Sequence, residues 1–389
     1  MTIVDRAIFF EIEKYFRTDE IIVVTGCRQT GKTTTLRYFF EKVDSQNKLF
    51  LDLENVLNRK YFEEENYETI KSAFEFLGLN FSKKAYIFID EIQYVKNLPS
   101  VVKYLKEHYK VKFFLTGSAS FYLKNLFSES LSGRKYIFNI YPLTFKEFIK
   151  FKGYKVVEHP PKILDRILES LFQEYINFGG FPGVALKKDS GEKRKKIQDI
   201  FSSYFEMEVE KLKDFAKLSK VRDTLLLLFS HSTLLLDVSK LSQELGITRI
   251  TLKEYLDFFE KTFFFDFIKP FSQNKDVEIR KRAKIYPVDV GLAREFGTSE
   301  IGKLFEIAVY QNIKVKNTVN YYRKKSGVEI DFIVNKKDAF EVKVSPYVSD
   351  VSKLIKLFSN LKGIGNYKIV SLKKVALKSA EWAPYFCLR

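Results

Sequence analysis

The sequence predicts an α/β protein of several modules: a parallel sheet carrying a phosphate-binding loop, a helical lid, a winged helix-turn-helix and a small α/β module at the end. Three observations predict this. The apolar, mostly β-branched run Ile21 to Val24 leads into Gly26–Thr33 and then into an unbroken helical stretch. Downstream, apolar strands ending in acidic or polar residues alternate with helical segments, the pattern of a parallel sheet. Further on, two short helical segments flank Gly246, and an aromatic strand follows. The composition shifts place the modules at residues 1–145, 146–215, 216–280 and 281–389.

The bulk numbers narrow the classes of function. Hydrophobic residues make up 46% of the 389 residues and charged residues 30%, enough to build cores and too apolar for a disordered chain. Lys and Arg total 66 against 49 Asp and Glu, a formal charge of +17, which favours a polyanionic partner such as nucleic acid. The same excess arises in any lysine-rich proteome, so charge alone decides nothing. Cys27 and Cys387 show no metal-ligand spacing, and Cys27 lies in the phosphate loop, so a reducing, cytoplasmic setting is expected. The charged start, MTIVDRAIFFEIEKYF, does not read as a signal peptide. The apolar runs, such as Leu225 to Phe229, are too short to span a membrane, so no membrane partner is expected.

Gly26, Cys27, Arg28, Gln29, Thr30, Gly31, Lys32 and Thr33 fill G-x-x-x-x-G-K-[ST] position by position. In such a loop the backbone N–H groups point inward around phosphates, and the N-terminus of the following helix, at Thr34, adds positive potential. Lys32 is expected to reach the β- and γ-phosphates of ATP, and the Thr33 hydroxyl to hold Mg²⁺.

Before the loop, Ile8 to Phe16 reads as an amphipathic helix. After it, KLFLDL (Lys48 to Leu53) is a second strand, and Tyr67 to Leu77 is helical. AYIFIDE, Ala85 to Glu91, is an apolar strand closed by two acids, the Walker B pattern. Ligands of open parallel sheets lie at the C-terminal strand ends. Asp90 is therefore expected in the Mg²⁺ shell and Glu91 as the residue that orients or deprotonates the attacking water. Val101 to Tyr109 is a helix, and Val111 to Leu115 a strand ending in Thr116-Gly117-Ser118. Ser118 reads as a γ-phosphate sensor, or equally as a hydroxyl capping the next helix. Arg134, in LSGR, is a candidate arginine finger for its own or a neighbouring subunit; the second case implies a homo-oligomer.

These motifs, followed by YPLTFKEF at Tyr141 to Phe148 and GGFPG at Gly179 to Gly183, resemble a known family. It is the AAA+-like ATPases of archaea and bacteria of the AAA-14/DUF4143 type, close to the archaeal-ATPase group. The counterparts here are Arg28 within the loop, Asp90-Glu91-Ile92-Gln93, Thr116-Gly117-Ser118 and Gly133-Arg134. The resemblance covers nearly the whole chain. It implies ATP with Mg²⁺ as cofactors and hydrolysis to ADP and phosphate; the preference for adenine rests on it alone.

Residues Lys146 to Leu212 read as mostly helical, broken at His159-Pro160-Pro161 and at Phe178 to Gly183. The run KKDSGEKRKKI from Lys187 reads as a solvated face. In Asp237 to Phe265, Leu241, Leu245, Ile247, Leu252, Tyr255 and Leu256 give two helices around Gly246 an apolar side. Thr248 is expected to cap the second, with Arg249, Thr251 and Lys253 in its first turns, where DNA contact is made in this motif. Such motifs also serve as purely structural modules.

The last module places Glu306 on a helix (Ile301 to Val315), Asp331 on the strand EIDFIV, and Glu341 with Lys343 on AFEVKV. Alternation puts Asp331 and Glu329 on one face, and Glu341 and Lys343 together. This arrangement resembles the PD-(D/E)xK nuclease fold. The resemblance implies Glu306, Asp331 and Glu341 as ligands of divalent ions and Lys343 as a catalytic cation. The same scaffold also serves for docking without catalysis. Two roles therefore compete: an ATPase coupled to DNA processing, and an ATP-gated switch or assembly protein.

Overall fold

The apolar run Ile21–Thr25 is strand β1, buried at every residue because helices cover the sheet on both sides. Its alternation divides the core. Ile21 and Val23 face one apolar cluster, Ile22 and Val24 the other. The computed structural model describes residues 3–117, 133–209, 218–272, 281–324, 326–358, 361 and 363–389.

The chain forms two compact units, Met1–Tyr141 with Lys261–Phe263, and Pro142–Glu260 with Phe264–Arg389. The first unit runs α1 (Ala7–Glu13), β1, α2 (Lys32–Lys42), β2 (Lys48–Asp52), α3 (Val56–Lys60), α4 (Tyr67–Phe76), β3 (Ala85–Asp90), α5 (Leu98–His108), β4 (Val111–Gly117) and β5 (Lys135–Asn139). All five strands are parallel, in the order β2-β3-β4-β1-β5. Ile70, Phe74, Val101 and Leu105 from α4 and α5 cover one face, and Phe9, Leu36 and Phe39 from α1 and α2 the other. β4 separates the phosphate-loop strand β1 from the acidic strand β3. The register pairs Thr25 with Gly117 and Asp52 with Asp90, so the polar strand ends share one edge.

Strand β5 is absent from the sequence expectations. Its burial is weak, with Ile137 47% exposed, because it lies at the edge of the sheet beside β1. An edge strand lacks the continuous apolar run that marked β1, β3 and β4.

In the second unit come α6 (Phe145–Phe151), α7 (Asp165–Phe178), α8 (Pro182–Ala185), α9 (Ser190–Tyr204), α10 (Leu218–Ser230), α11 (Val238–Leu245) and α12 (Arg249–Lys261, its last residue belonging to the first unit). They are followed by β6 (Phe265–Ile268), β7 (Lys284–Pro287), α13 (Val290–Phe296), α14 (Ile301–Ile313), β8 (Val319–Arg323), β9 (Glu329–Val334), β10 (Asp338–Lys343), α15 (Val348–Phe358), β11 (Asn366–Ser371), β12 (Ala380–Trp382) and α16 (Ala383–Phe386). Thr144 and Glu147 form a reciprocal capping box that starts α6. The GGFPG turn after α7 closes on Asp289. Its Oδ2 accepts from the Gly180 N–H at 2.7 Å and from Gln311 Nε2 at 3.1 Å, and its Oδ1 from the Gly291 N–H at 2.9 Å. A Cβ on Gly179 would lie 1.9 Å from Asp289 Oδ1, and Gly179 has φ +79°, so the turn requires glycine there.

Asp237 caps α11 by accepting from Lys240 N, and Gly246 ends it in the left-handed region. Thr248 Oγ1 accepts from Thr251 N at 3.1 Å at the start of α12. β6 and β7 pair antiparallel beyond it. The end sheet has the order β12-β11-β10-β9-β8, antiparallel through β8-β9-β10 and parallel through β10-β11-β12.

Candidate functional site: the C-terminal edge of the first sheet

The phosphate loop is held open by its own backbone. Gly26 takes φ +149°, and a Cβ there would lie 2.1 Å from the Ile140 carbonyl oxygen; Gln29 and Gly31 also take positive φ. Thr30 Oγ1 donates to the Cys27 carbonyl at 2.7 Å. Arg6 Nη1 donates to the Thr30 carbonyl and Nη2 to the Tyr141 carbonyl, each at 2.9 Å. Gly31 gives α2 no side-chain cap, so the first N–H groups of that helix keep the orientation an anion needs. Lys32 is buried, and its Nζ donates to the carbonyls of Gly26 and Cys27, 3.1 Å each. The ammonium is folded onto the loop that is expected to surround the phosphates.

Asp90 and Glu91 leave β3 at the same sheet edge. The Thr116 hydroxyl, at the end of β4, donates to Asp90 Oδ1 and accepts from the Glu91 N–H at 3.1 Å. The Thr33 side chain lies close enough to Asp90 to favour its ionised form. Burial raises the Asp90 pKa, and the Thr116 and Thr33 side chains oppose it. Glu91 sits in the left-handed region at φ 55°, sparsely populated for a non-glycine residue, and its Oε2 accepts from Gln93 Nε2. The loop lysine, the Thr33 hydroxyl and the two acids are thus brought together by β1, β3 and β4. Asp90 and Thr33 offer hard oxygen ligands of the kind Mg²⁺ takes.

Two of these features were not foreseen from sequence. Thr116, the first residue of the TGS triplet, bonds both acids, and the β3-β4 register places it there; the expected sensor Ser118 lies outside the described residues. Arg6, 24 residues ahead of its partner Thr30, carries no local signature.

Arg134 corrects the expectation of a finger within its own subunit. Its carbonyl accepts from the Ile21 N–H, and β5 starts one residue later in parallel register with β1. Arg134 is therefore at the N-terminal edge of the sheet, opposite the loop, and it is paired with Glu107.

The carboxylates of the end sheet are paired with lysines. Lys284 Nζ, on β7, lies 3.2 Å from Glu306, 3.0 Å from Glu329 and 3.6 Å from Asp331. Asp331 Oδ2 accepts from the Val342 N–H at 2.8 Å, and Lys343 pairs with Glu341 on its own strand at 2.8 Å. Burial and the Asp331 charge raise Glu306 to about 7 and Glu341 to about 8, and Lys284 and Lys343 respectively oppose this. Among the described residues, no group of three or more His, Cys, Asp or Glu side chains is arranged to hold a metal ion. The structure brings Glu306 and Glu341, two of the expected metal ligands, within electrostatic reach of the third, Asp331, and pairs Lys284 and Lys343 with them. For Lys284 the available signal in the sequence was a lysine opening the short apolar strand Lys284–Pro287.

Sequence comparison gives the family. A family profile described as an AAA domain matches residues 18–149, and a domain of unknown function, DUF8612, matches residues 169–300; DUF4143 is not among these matches. An uncharacterised protein of Haemophilus influenzae is 30% identical over 375 residues, covering 89% of this chain and 88% of that protein. The chain belongs to the family of this Haemophilus protein. An uncharacterised protein of Methanocaldococcus jannaschii is 26% identical, over 93% of this chain and 83% of its own. Among solved structures, a Walker-type ATPase of Pyrococcus abyssi is similar at a TM-score of 0.49 and 16% identity, covering 76% of this chain and 96% of that one. The ADP form of an ORC2 protein of Aeropyrum pernix gives 0.37 at 11% identity, over 68% and 87%. Within the first unit, residues 18–141 are thus similar in sequence to an AAA domain. Among the described residues, no helix is long and apolar enough to cross a membrane.

Proposed function

We propose that the protein binds ATP with Mg²⁺ and hydrolyses it to ADP and phosphate at the C-terminal edge of the first sheet. The observation that carries this is Thr116, whose hydroxyl joins Asp90 to the backbone of Glu91 beside Thr33 and the phosphate loop. The loop N–H groups and Lys32 bind the phosphates. Asp90 and the Thr33 hydroxyl hold Mg²⁺, which when bound offsets charge on the β- and γ-phosphates. Glu91, fixed by the Thr116 and Gln93 hydrogen bonds, orients the attacking water and accepts its proton. Arg134 remains a candidate to meet the nucleotide of a neighbouring copy, since the finger role in trans needs no proximity to its own loop.

Nucleotide binding and turnover separate these roles. Lys32→Ala is expected to abolish tight ATP binding. Glu91→Gln is expected to keep binding and lower turnover by about 100-fold or more, in the range of general-base catalysis. Turnover at the wild-type rate in Glu91→Gln would remove that residue from the mechanism.

The purpose of the ATPase has two readings. Arg249 and Lys253 are exposed in the first turns of α12, behind the Thr248 cap, which favours coupling to DNA. The order α14-β8-β9-β10-α15-β11 supports the nuclease-like resemblance of the end module, while the Lys284 pairing favours a docking role for it over phosphodiester cleavage.

A further inference from the structure

We propose that the Lys284 ammonium is a resident counter-ion that takes the place of a divalent cation among Glu306, Glu329 and Asp331, so that the end sheet works without a bound metal. The proposal does not depend on the ATPase reading, because every group in it lies in the second unit.

The geometry is specific. Carboxylates from α14 and β9 converge on a single Nζ whose side chain is 3% exposed. Tyr286, two residues along β7 and hence on the same face, donates its hydroxyl to the same Glu306 oxygen at 2.5 Å. One strand thus delivers two donors to one acidic cluster, and the Tyr321 ring lies 5.9 Å from the ammonium.

The oxygen positions suit an ammonium. They stand 3.0–3.6 Å from Nζ, the range of charge-assisted hydrogen bonds and ion pairs. Two neighbouring carboxylates have cations of their own: Arg323 pairs with Glu329 at 3.2 Å and Lys343 with Glu341 Oε1 at 2.8 Å, while Glu341 Oε2 is buried without a hydrogen-bond partner. An ammonium balances one charge in place of two and does not turn a bound water into hydroxide at neutral pH as a metal does. With Lys284 in place, the cluster is neutralised in part by the chain's own cation.

Mn²⁺ binding to the nucleotide-free full chain, followed by electron paramagnetic resonance, tests this. In the wild type, no Mn²⁺ site sensitive to Asp331→Asn is expected. Lys284→Ala is expected to gain one, at least about tenfold tighter than any wild-type binding, about 1.4 kcal/mol, and to lose it again in the double variant with Asp331→Asn. Mn²⁺ should also raise the melting temperature of Lys284→Ala and leave that of the wild type unchanged. Wild-type Mn²⁺ binding abolished by Asp331→Asn would overturn the proposal, as would a folded Lys284→Ala that gains no site. Should Lys284→Ala fail to fold, the comparison of wild type with Asp331→Asn decides the matter alone.

Discussion

Thr116 is the side chain on which the candidate active site turns. Its hydroxyl donates to Asp90 and accepts from the Glu91 backbone, so one substitution removes an anchor from each acid. Thr116→Val keeps the shape and loses both bonds. Hydrogen bonds to charged groups contribute about 1.5–3 kcal/mol, so turnover should fall by roughly 10- to 100-fold, with ATP binding little changed. Steady-state kinetics with a nucleotide-binding titration would check this; unchanged turnover would take Thr116 out of the site. Glycine 26 makes a contrasting case at the same scale. Its substitution by alanine should weaken nucleotide binding through the backbone, because the new Cβ meets the Ile140 carbonyl and no functional group is lost.

Between elements, the second unit is tied together by Asp289, fully buried between the turn after α7 and the start of α13. Burial raises its pKa from 3.8 to about 6, with the N–H donors of Gly180, Leu292 and Gly291 and the Gln311 amide opposing the shift. The native carboxyl thus holds its proton more tightly than the unfolded one. The stability it contributes is fully present below about pH 4 and is lost as pH rises through about 6, on the order of 2–3 kcal/mol. Asp289→Asn removes this titration. The variant is expected to be less stable, because an amide NH₂ faces N–H donors, and its stability should change less than the wild type's between pH 4 and 6. Denaturant unfolding across that interval would show it; parallel pH profiles would assign the buried charge elsewhere.

At the scale of the whole molecule, the +17 charge and the exposed start of α12 predict a salt-sensitive response to DNA. DNA should stimulate ATP hydrolysis at about 50 mM salt, and the stimulation should fall steeply towards about 200 mM as counterion release weakens binding. Arg249→Ala with Lys253→Ala should lower the stimulation and leave the basal rate unchanged. A rate indifferent to DNA at low salt would favour the ATP-gated switch.

The ATP-site motifs were legible because their signals are local. Ile21 to Thr33 contains its own strand, glycine turn and helix start, and Ala85 to Glu91 its own apolar run and acids, so the chemistry follows from adjacency along the chain. The order of strands is not written in that way. It placed Arg134 at the far edge from the loop and set Thr116 against Asp90, and the packed unit brought Arg6 against Thr30. It also set Lys284 among carboxylates 22 to 47 residues further along the chain. By itself the sequence determined that this protein handles nucleotide phosphates on a parallel sheet. The tertiary structure alone decided that the Thr116 hydroxyl joins the two acids and that a lysine sits in the second acidic cluster. Both depend on which strands become neighbours, and that is settled by packing two faces of a sheet, beyond the reach of any local pattern.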